Sequence, residues 1–157
     1  MQELQELQTI LLVRKVNNKK CYMKTFSFQN IIAWQKAHAF VLLVYRLTKK
    51  FPEDEKFCLT SQFRRAAISI EANIAEGYKK LSRPDKLRFF NISEGSLEEC
   101  RDYIILSKDL NYINEEEYEQ LYSNIEETSR LIIAYSNGIL NNNGLKKEER
   151  VSQESAL

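Results

Sequence analysis

The sequence predicts an all-α protein, folded as an antiparallel up-down-up-down four-helix bundle. The chain has only 4 glycines and 2 prolines among 157 residues, so its elements can run long without interruption. Four segments of about 20–28 residues place apolar side chains at the three- and four-residue steps of a helix, and no segment alternates as a strand does. The connections between these segments are short, and short connections make neighbouring helices antiparallel.

Composition and charge are those of a single globular domain. Apolar residues make up 43% of the chain and charged residues 29%, and the net charge is +1. The charge is unevenly distributed: residues 1–50 carry nine basic and two acidic side chains, whereas residues 101–157 carry six basic and eleven acidic ones. Three cysteines without paired spacing indicate free thiols in a reducing, cytoplasmic compartment. A single histidine argues against a metal site and a His-based catalytic dyad, so we expect no catalytic residues, metal or cofactor.

The domain organisation follows from where the helical pattern begins and ends. Residues 1–25 form an N-terminal extension, flexible or a short helix, and we expect residues 1–22 to be dispensable, as if added from an upstream start codon. The apolar run at residues 10–13 is too short for a signal peptide or a membrane span. Residues 26–140 form the bundle, and residues 141–157 form a disordered tail.

The first helix is predicted over residues 29–50 and the second over residues 54–80. Pro52 ends the first helix, because the residue before a proline avoids helical geometry. His38 lies on the apolar face of the first helix, which favours a packed core or interface histidine over a ligand or base. Thr60 or Ser61 could instead cap a second helix that begins there.

The third helix is predicted over residues 83–110, with Ser82 as its N-cap, and the fourth over residues 115–140, with Asn114 as its N-cap. The run Asn-Asn-Asn-Gly at residues 141–144 is expected to stop the fourth helix. Gly77 near the end of the second helix and Gly95 within the third indicate close approach of the backbone to a neighbour.

The stretch of residues 62–77 has three faces. The first is an apolar seam for the bundle core. The second is a strip that we expect to face a neighbouring subunit, formed by Ile68, Ala72 and Ala75. The third is a polar stripe formed by Arg65, Ser69, Asn73 and Glu76. We expect this stripe to join residues of the third helix in a structural network of ion pairs and hydrogen bonds. The residues of the third helix are Glu94, Ser96, Glu99 and Arg101. The alternative is a carboxylate or di-metal site, but a di-iron bundle uses two Glu-x-x-His pairs and the chain has one histidine.

Basic residues cluster at the turn between the second and third helices. In an antiparallel bundle this turn lies at the same pole as Lys19, Lys20, Lys24, Lys146 and Lys147, while the opposite pole is mainly acidic. Such a surface suits a phosphate backbone, although an ordinary solvated turn would look the same. The cluster comprises Lys79, Lys80, Arg83, Lys86 and Arg88.

Several short motifs resemble a known family in order and spacing. They are residues 33–36 (AWQK), 51–52 (FP), 59–70 (LTSQFRRAAISI), 73–77 (NIAEG) and 94–99 (EGSLEE). Between about residues 26 and 140 the chain resembles the bacterial four-helix-bundle family that includes proteins encoded in intervening sequences of 23S rRNA genes. The resemblance implies a homopentamer. Proteins similar to this family include the accessory variability determinants of diversity-generating retroelements, which bind nucleic acid through a basic surface. No catalytic residue set comes with the family.

These observations favour a non-enzymatic, homo-oligomeric scaffold or accessory factor that binds the phosphate backbone of RNA or DNA through its basic pole. The alternatives are a module that binds another protein and no nucleic acid, and an enzyme of unrecognised type. We expect neither a membrane nor a small-molecule substrate among its partners.

Overall fold

A computed structural model describes the backbone of residues 27–154 and the side chains of residues 27–141. Within this range there is no strand, and four α-helices account for most of the chain, which confirms the all-α class. They are α1 (Ile32–Leu47), α2 (Leu59–Lys79), α3 (Arg83–Asp109) and α4 (Glu115–Glu154). The predictions for the N-terminal extension, including Lys19, Lys20 and Lys24, and for the side chains of Lys146 and Lys147 lie outside the described residues.

The four helices form a closed bundle. Each helix packs against its neighbour in the chain, and α1 also packs against α4. Near the start of α1, Lys36 Nζ lies 2.8 Å from Glu127 Oε1 of α4, whereas just beyond the end of α1 Lys50 pairs with Glu117 near the start of α4. The two helices therefore run in opposite directions, as the predicted antiparallel topology requires.

The core is one cluster of apolar side chains from all four helices, and a few hydroxyl side chains are buried with it. No helix in the described range is both long enough and apolar enough to cross a membrane. Burial, with a smaller contribution from the charge of Glu99, raises the pKa of the Cys100 thiol, so this thiol behaves as a small apolar group. The largest fully buried side chains include Phe40, Phe63, Phe90, Ile70, Ile74, Leu97, Ile104, Leu121, Ile125 and Ile132.

The first helix is broken at both ends by short 3-10 turns. Phe28–Asn30 precedes α1 and Thr48–Lys50 follows it, so the predicted range of residues 29–50 contains a shorter α-helix. The Thr48 hydroxyl donates to the Val44 carbonyl at 2.8 Å and also accepts from Arg64 Nε at 2.8 Å. This buried hydroxyl therefore ties the end of α1 to α2.

The start of α2 differs from the main prediction. Glu53–Phe57 is a 3-10 turn, and α2 begins at Leu59, close to the alternative start. The predicted caps are wrong, because the Leu59 amide donates to the Glu55 carboxylate at 3.0 Å. The other oxygen of Glu55 accepts from the Tyr112 hydroxyl at 3.1 Å, so this carboxylate also fixes the α3–α4 turn against α2.

The predicted caps of α3 and α4 are confirmed. Ser82 Oγ accepts from the Asp85 amide at 3.2 Å. Asn114 Oδ1 accepts from the Glu117 amide at 2.9 Å, and the Glu117 carboxylate accepts from the Asn114 amide at 3.0 Å. This reciprocal pair is a capping box, which satisfies two amides that the helix itself leaves unbonded. Asn111, with a φ of 59°, makes the left-handed turn that ends α3.

The predicted end of the fourth helix at residue 140 is wrong. The backbone stays helical to Glu154, through a run that was expected to stop the helix and form a disordered tail. Asparagine and glycine each cost a helix interior no more than about 1 kcal/mol, and a helix that is already formed extends at little cost. Residues 145–150 (LKKEER) are strong helix formers, so they extend the helix past this weak stop.

The two glycines that were predicted to allow close approach behave differently. A Cβ on Gly77 would lie 3.0 Å from the Phe89 Cβ and 3.2 Å from Phe90 Cε2, so the close approach of α3 at Gly77 is confirmed. A Cβ on Gly95 would meet nothing within 4 Å, so the prediction for Gly95 is wrong. Only Gly77 is required by the packing of α2 against α3.

The two glycines therefore predict opposite effects of alanine. Gly77→Ala should lower the free energy of unfolding by about 1–3 kcal/mol, because the new methyl group overpacks against the first atom of the Phe89 side chain, which is anchored to the backbone of α3. Gly95→Ala, the matched control in an exposed helix interior, should raise it by up to about 1 kcal/mol. Urea unfolding followed by circular dichroism measures both. A stabilised Gly77→Ala variant would contradict the close-contact interpretation.

Candidate nucleic-acid interface

The basic pole consists of Lys79, Lys80, Arg83, Lys86 and Arg88, and the α2–α3 turn brings them together. Only residues 80–82 separate α2 from α3, so the last turn of one helix lies beside the first turn of the other. The turn is fixed by the Ser82 cap and by the contact of Gly77 with α3. The positions of these five residues in the fold are therefore those that the sequence predicted.

Three of the five cations are committed to the protein itself. Lys80 Nζ lies 3.0 Å from Glu76 Oε1 and 4.5 Å from the centre of the Phe89 ring. Lys86 Nζ donates to the Tyr78 carbonyl at 2.7 Å and lies 5.8 Å from the centre of that residue's ring. These contacts hold the two ammonium groups in place across the α2–α3 turn.

Arg83 makes the third commitment. Its guanidinium donates to the Ile139 carbonyl and, at 2.9 Å, to the Leu140 carbonyl of α4. It thereby ties the start of α3 to α4, which passes through the same pole. Substituting Arg83 or Lys86 would change the packing of this end as well as its charge.

Lys79 and Arg88 are the accessible charges of the basic pole. Both are exposed, and neither takes part in the ion pairs found among residues 27–141. An external anion could bind either one without displacing a partner among the side chains of residues 27–141.

The opposite end of the bundle is mainly acidic. Lys50 pairs with Glu117, and Lys108 Nζ lies 2.9 Å from Glu115 Oε1, which leaves the remaining carboxylates of this end in excess. Burial alone would raise the pKa of Glu117, but the hydrogen bonds from Lys50 and the Asn114 amide outweigh it and lower that pKa. The other acidic residues here include Glu53, Asp54, Glu55, Asp109, Glu116 and Glu119.

The predicted polar network between α2 and α3 is reduced to uncharged groups. Ser69 Oγ lies 2.8 Å from Ser96 Oγ, and Asn73 Nδ2 donates to the Ser69 carbonyl at 2.7 Å and to its hydroxyl at 3.1 Å. Ser93, which was not predicted to take part, donates to the Ile70 carbonyl at 2.9 Å. Small hydroxyl groups therefore link the two helices at short range.

The charged residues predicted for this network lie elsewhere. Arg65 reaches only Gln62 on its own helix, and Glu76 pairs with Lys80. Arg101 turns to α4, where its guanidinium lies 2.7 Å from Glu126 Oε1. The helices approach too closely at the seam of small residues for long charged side chains to fit between them.

Two further predicted carboxylates stay outside the seam. Glu94 is half-buried without an ion pair among those of residues 27–141, and burial raises its pKa. Glu99 is exposed and accepts from the Tyr103 hydroxyl on its own helix at 2.8 Å. Burial, followed by this hydrogen bond and nearby charges, raises the pKa of Tyr103 to about 12.

The strip predicted to face another subunit lies on the outer face of α2. Ile68 is 39% exposed, Ala72 is exposed and Ala75 is half-buried. Across the α1–α2 boundary, Leu42 is 59% exposed and Tyr45 is 37% exposed, and Arg64 lies 4.8 Å from the centre of the Tyr45 ring. We call these five residues, Leu42, Tyr45, Ile68, Ala72 and Ala75, the lateral patch.

His38 has a partner that the sequence did not reveal. Its Nδ1 lies 2.7 Å from Glu71 Oε2 of α2, and its ring stacks on Trp34 at 5.0 Å between centres. The side chain is half-exposed at the edge of the lateral patch, so the prediction of a packed core histidine is wrong, while that of an interface histidine stays a prediction. A helical-wheel comparison could have placed both residues on facing sides of α1 and α2, but only the relative position of the two helices pairs them.

Metal-binding groups were also considered. Among the described residues, no cluster of three or more His, Cys, Asp or Glu side chains could hold a metal ion. Cys58 is exposed at the start of α2, whereas Cys100 is buried in the core.

Comparison with known proteins now assigns the family. A family model described as 23S rRNA-intervening sequence protein matches residues 29–134. The chain belongs to the 23S rRNA-intervening sequence protein family. This family assignment confirms the resemblance seen in the sequence motifs.

A solved structure supports the same assignment. It is a crystal structure of a protein of unknown function from the S23 ribosomal protein family of Bacteroides thetaiotaomicron. The two chains share 27% identity with a TM-score of 0.63, over 68% of this chain and 96% of the other. No curated protein matches the chain.

The lowered pKa of Glu117 predicts how stability depends on pH. Glu117→Gln should lower the free energy of unfolding at pH 7 by up to about 1 kcal/mol, because it removes the ion pair with Lys50 and weakens the cap of α4. A carboxyl group whose pKa is lower in the folded state stabilises the fold above its ordinary pKa, and that stabilisation is lost as the pH falls through the folded-state value. The deficit of Glu117→Gln should therefore shrink on acidification, in urea unfolding at a series of pH values.

Glu116→Gln is the matched control, because Glu116 is an exposed neighbour on the same turn of α4. It should change stability little at any pH. An equal deficit in the two variants, or a Glu117→Gln deficit independent of pH, would contradict this role of Glu117.

Proposed function

We propose that this protein is a non-enzymatic, homo-oligomeric bundle that binds the phosphate backbone of nucleic acid through its basic pole. The observation that carries the proposal is the separation of charge along the bundle. One end presents Lys79 and Arg88 as exposed cations without an ion pair among residues 27–141, and the other end is mainly acidic. Binding directed at phosphates needs accessible cations, and this end of the bundle supplies two of them beside three that the fold holds in place.

Oligomerisation would give this small surface a useful affinity. The two unpaired cations that the described residues place at each basic pole make few phosphate contacts, whereas five copies in a ring, as the family resemblance implies, would offer about ten. The lateral patch is the surface that we propose for contact between copies, because it exposes leucine, tyrosine and isoleucine side chains at one level of the bundle. Aligned basic poles would then form a wide positive face.

We propose RNA as the first ligand to examine. The family is named for the intervening sequence of 23S rRNA, which makes an RNA from that region a natural probe. The two free thiols, Cys58 and Cys100, fit a reducing compartment, so we also propose that the protein acts in the cytoplasm.

Side-chain chemistry supports a binding role over catalysis. The buried hydroxyl groups of Thr48 and Thr128 donate to the carbonyls of Val44 and Asn124, so these two are not poised as nucleophiles. The His38–Glu71 pair has the geometry of a general base with its orienting carboxylate, but the contacts found at this ring are Glu71 and Trp34, and neither offers a hydroxyl or thiol for the imidazole to deprotonate.

A second candidate function is a protein-interaction module. The lateral patch favours it, because the same exposed side chains could bind a different protein. The two functions make different demands: the module needs the patch and not the basic pole, while the nucleic-acid binder needs both.

Charge reversal at the free cations tests the proposed binding. Lys79→Glu combined with Arg88→Glu should lower affinity for an RNA probe about tenfold or more and flatten the dependence of log K on log salt. These residues serve better than Lys80 or Arg83, whose contacts hold the fold. Fluorescence anisotropy over a series of salt concentrations measures both quantities.

The matched control is Lys49→Glu, an exposed lysine at the opposite pole. It should leave affinity nearly unchanged. If wild-type affinity does not depend on salt, or the control loses as much as the double variant, the basic pole is not the binding surface.

Ile68→Asp tests the proposed assembly surface. A charge at this exposed position should convert the oligomer to monomers with little change in helical content, because Ile68 contributes little to the core. Light scattering coupled to size-exclusion chromatography measures the mass. The control is Ile133→Asp, a 46% exposed isoleucine on α4, outside the lateral patch. An oligomer that survives Ile68→Asp and dissociates in the control would place the interface on α4.

A further inference from the structure

The tip of the basic pole carries an apolar side chain that the fold does not use. Leu81 lies in the three-residue connection between α2 and α3, flanked by Lys80 and Ser82, and it is 101% exposed. Tight turns normally carry polar residues or glycine, which form turn hydrogen bonds or tolerate unusual backbone angles. Leu81 therefore contributes nothing to the bundle core, although it projects where five cations meet.

Two aromatic rings lie beneath this tip. Tyr78 and Phe89 are half-buried, and each has an ammonium group near its ring: Lys86 at 5.8 Å from the Tyr78 ring centre and Lys80 at 4.5 Å from the Phe89 ring centre. These lysines are held in place by the carbonyl of Tyr78 and the carboxylate of Glu76. The basic pole therefore combines an apolar apex, aromatic rings and cations in one small area.

Contact with phosphates alone would require only the cations. In a duplex the base faces are stacked on one another, and an apolar side chain reaches them only by unstacking a base step, at a cost of a few kcal/mol. In single strands, loops and bulges the base faces are exposed, and proteins bind them by packing apolar or aromatic groups against them while basic residues hold the backbone. An exposed leucine among cations has the chemistry of that second mode.

We propose that the basic pole binds unpaired nucleotides, with Leu81 packing against an exposed base while Lys79 and Arg88 contact the adjoining phosphates. This inference rests on the proposed nucleic-acid binding and names its ligand class as single-stranded nucleic acid. Tyr78 and Phe89 support the tip from below, and the lysines over their rings keep the nearby positive charge fixed.

An anionic membrane is the other surface that an exposed leucine among lysines could meet. Burying one leucine contributes about 1.5–3 kcal/mol, and even a single myristoyl chain gives only marginal membrane binding. Binding to unpaired nucleotides requires less binding free energy from one side chain, because each base–apolar contact adds to phosphate contacts made at the same time. The observations therefore favour nucleic acid.

The test compares three labelled probes by fluorescence anisotropy: an unstructured oligouridylate, an oligothymidylate of equal length and an RNA duplex of that length. The full-length wild-type chain should bind the single strands about tenfold more tightly than the duplex. Leu81→Ser should remove most of that preference, with unchanged duplex affinity and an unchanged salt slope, because it alters no charge. Leu81→Phe should retain the preference, since an aromatic ring also packs on a base.

Phe57→Ser is the matched control, because Phe57 is an 83% exposed apolar residue in the connection before α2, at the opposite pole. It should leave all affinities unchanged. Leu81 and Phe57 make little contact with the core, so circular dichroism should show unchanged unfolding midpoints for all variants.

The outcomes separate this inference from the proposed function. Salt-dependent binding with no preference for single strands, or a preference that survives Leu81→Ser, would overturn the role of Leu81 and leave phosphate binding intact. Failure of the wild-type chain to bind any probe would overturn the proposed function and this inference with it. A third outcome is that the protein binds none of the oligonucleotides but cosediments with vesicles of phosphatidylcholine and phosphatidylglycerol in a way that depends on Leu81. That result would show that the tip binds membranes.

Discussion

The close approach of α2 and α3 constrains the rest of the structure. It depends on the absence of a side chain at Gly77, where a Cβ would lie 3.0 Å from the Phe89 Cβ, and on short hydroxyl links such as Ser69 to Ser96. Large charged side chains cannot enter such a seam, so Arg101 turns to α4 and Glu76 to its own helix. The same approach draws the end of α2 against the start of α3, and this concentrates the basic residues at one pole.

The sequence predicted features that depend on one helix or on a few adjacent residues. The number of helices, the caps at Ser82 and Asn114 and the role of Gly77 follow from periodicity and local hydrogen bonding. Errors arose where competing local signals had similar strength. Glu55 rather than Thr60 caps α2, because a 3-10 turn places its carboxylate next to the Leu59 amide.

Contacts between side chains of different helices could be identified only from the structure. His38 and Glu71 are 33 residues apart in the chain, and only the rotation and relative height of α1 and α2 place them 2.7 Å from each other. The side-chain contacts of the basic pole could not be predicted from the sequence either. Antiparallel topology alone predicts that the five cations share one end. Only side-chain geometry shows that Lys80, Lys86 and Arg83 are engaged, while Lys79 and Arg88 have no ion pair among residues 27–141.

The placement of two surfaces on α2 would link the proposed assembly to the proposed binding. The lateral patch lies on the long side of the bundle, and the basic pole lies at its end, so the two surfaces do not compete for the same side chains. Copies joined side by side in a closed ring, with the rotation axis along the helices, would all present their basic poles on one face. A dihedral arrangement would divide the poles between two opposite faces and halve the charge available to one ligand. Cyclic symmetry is therefore the arrangement that the proposed function requires of the oligomer.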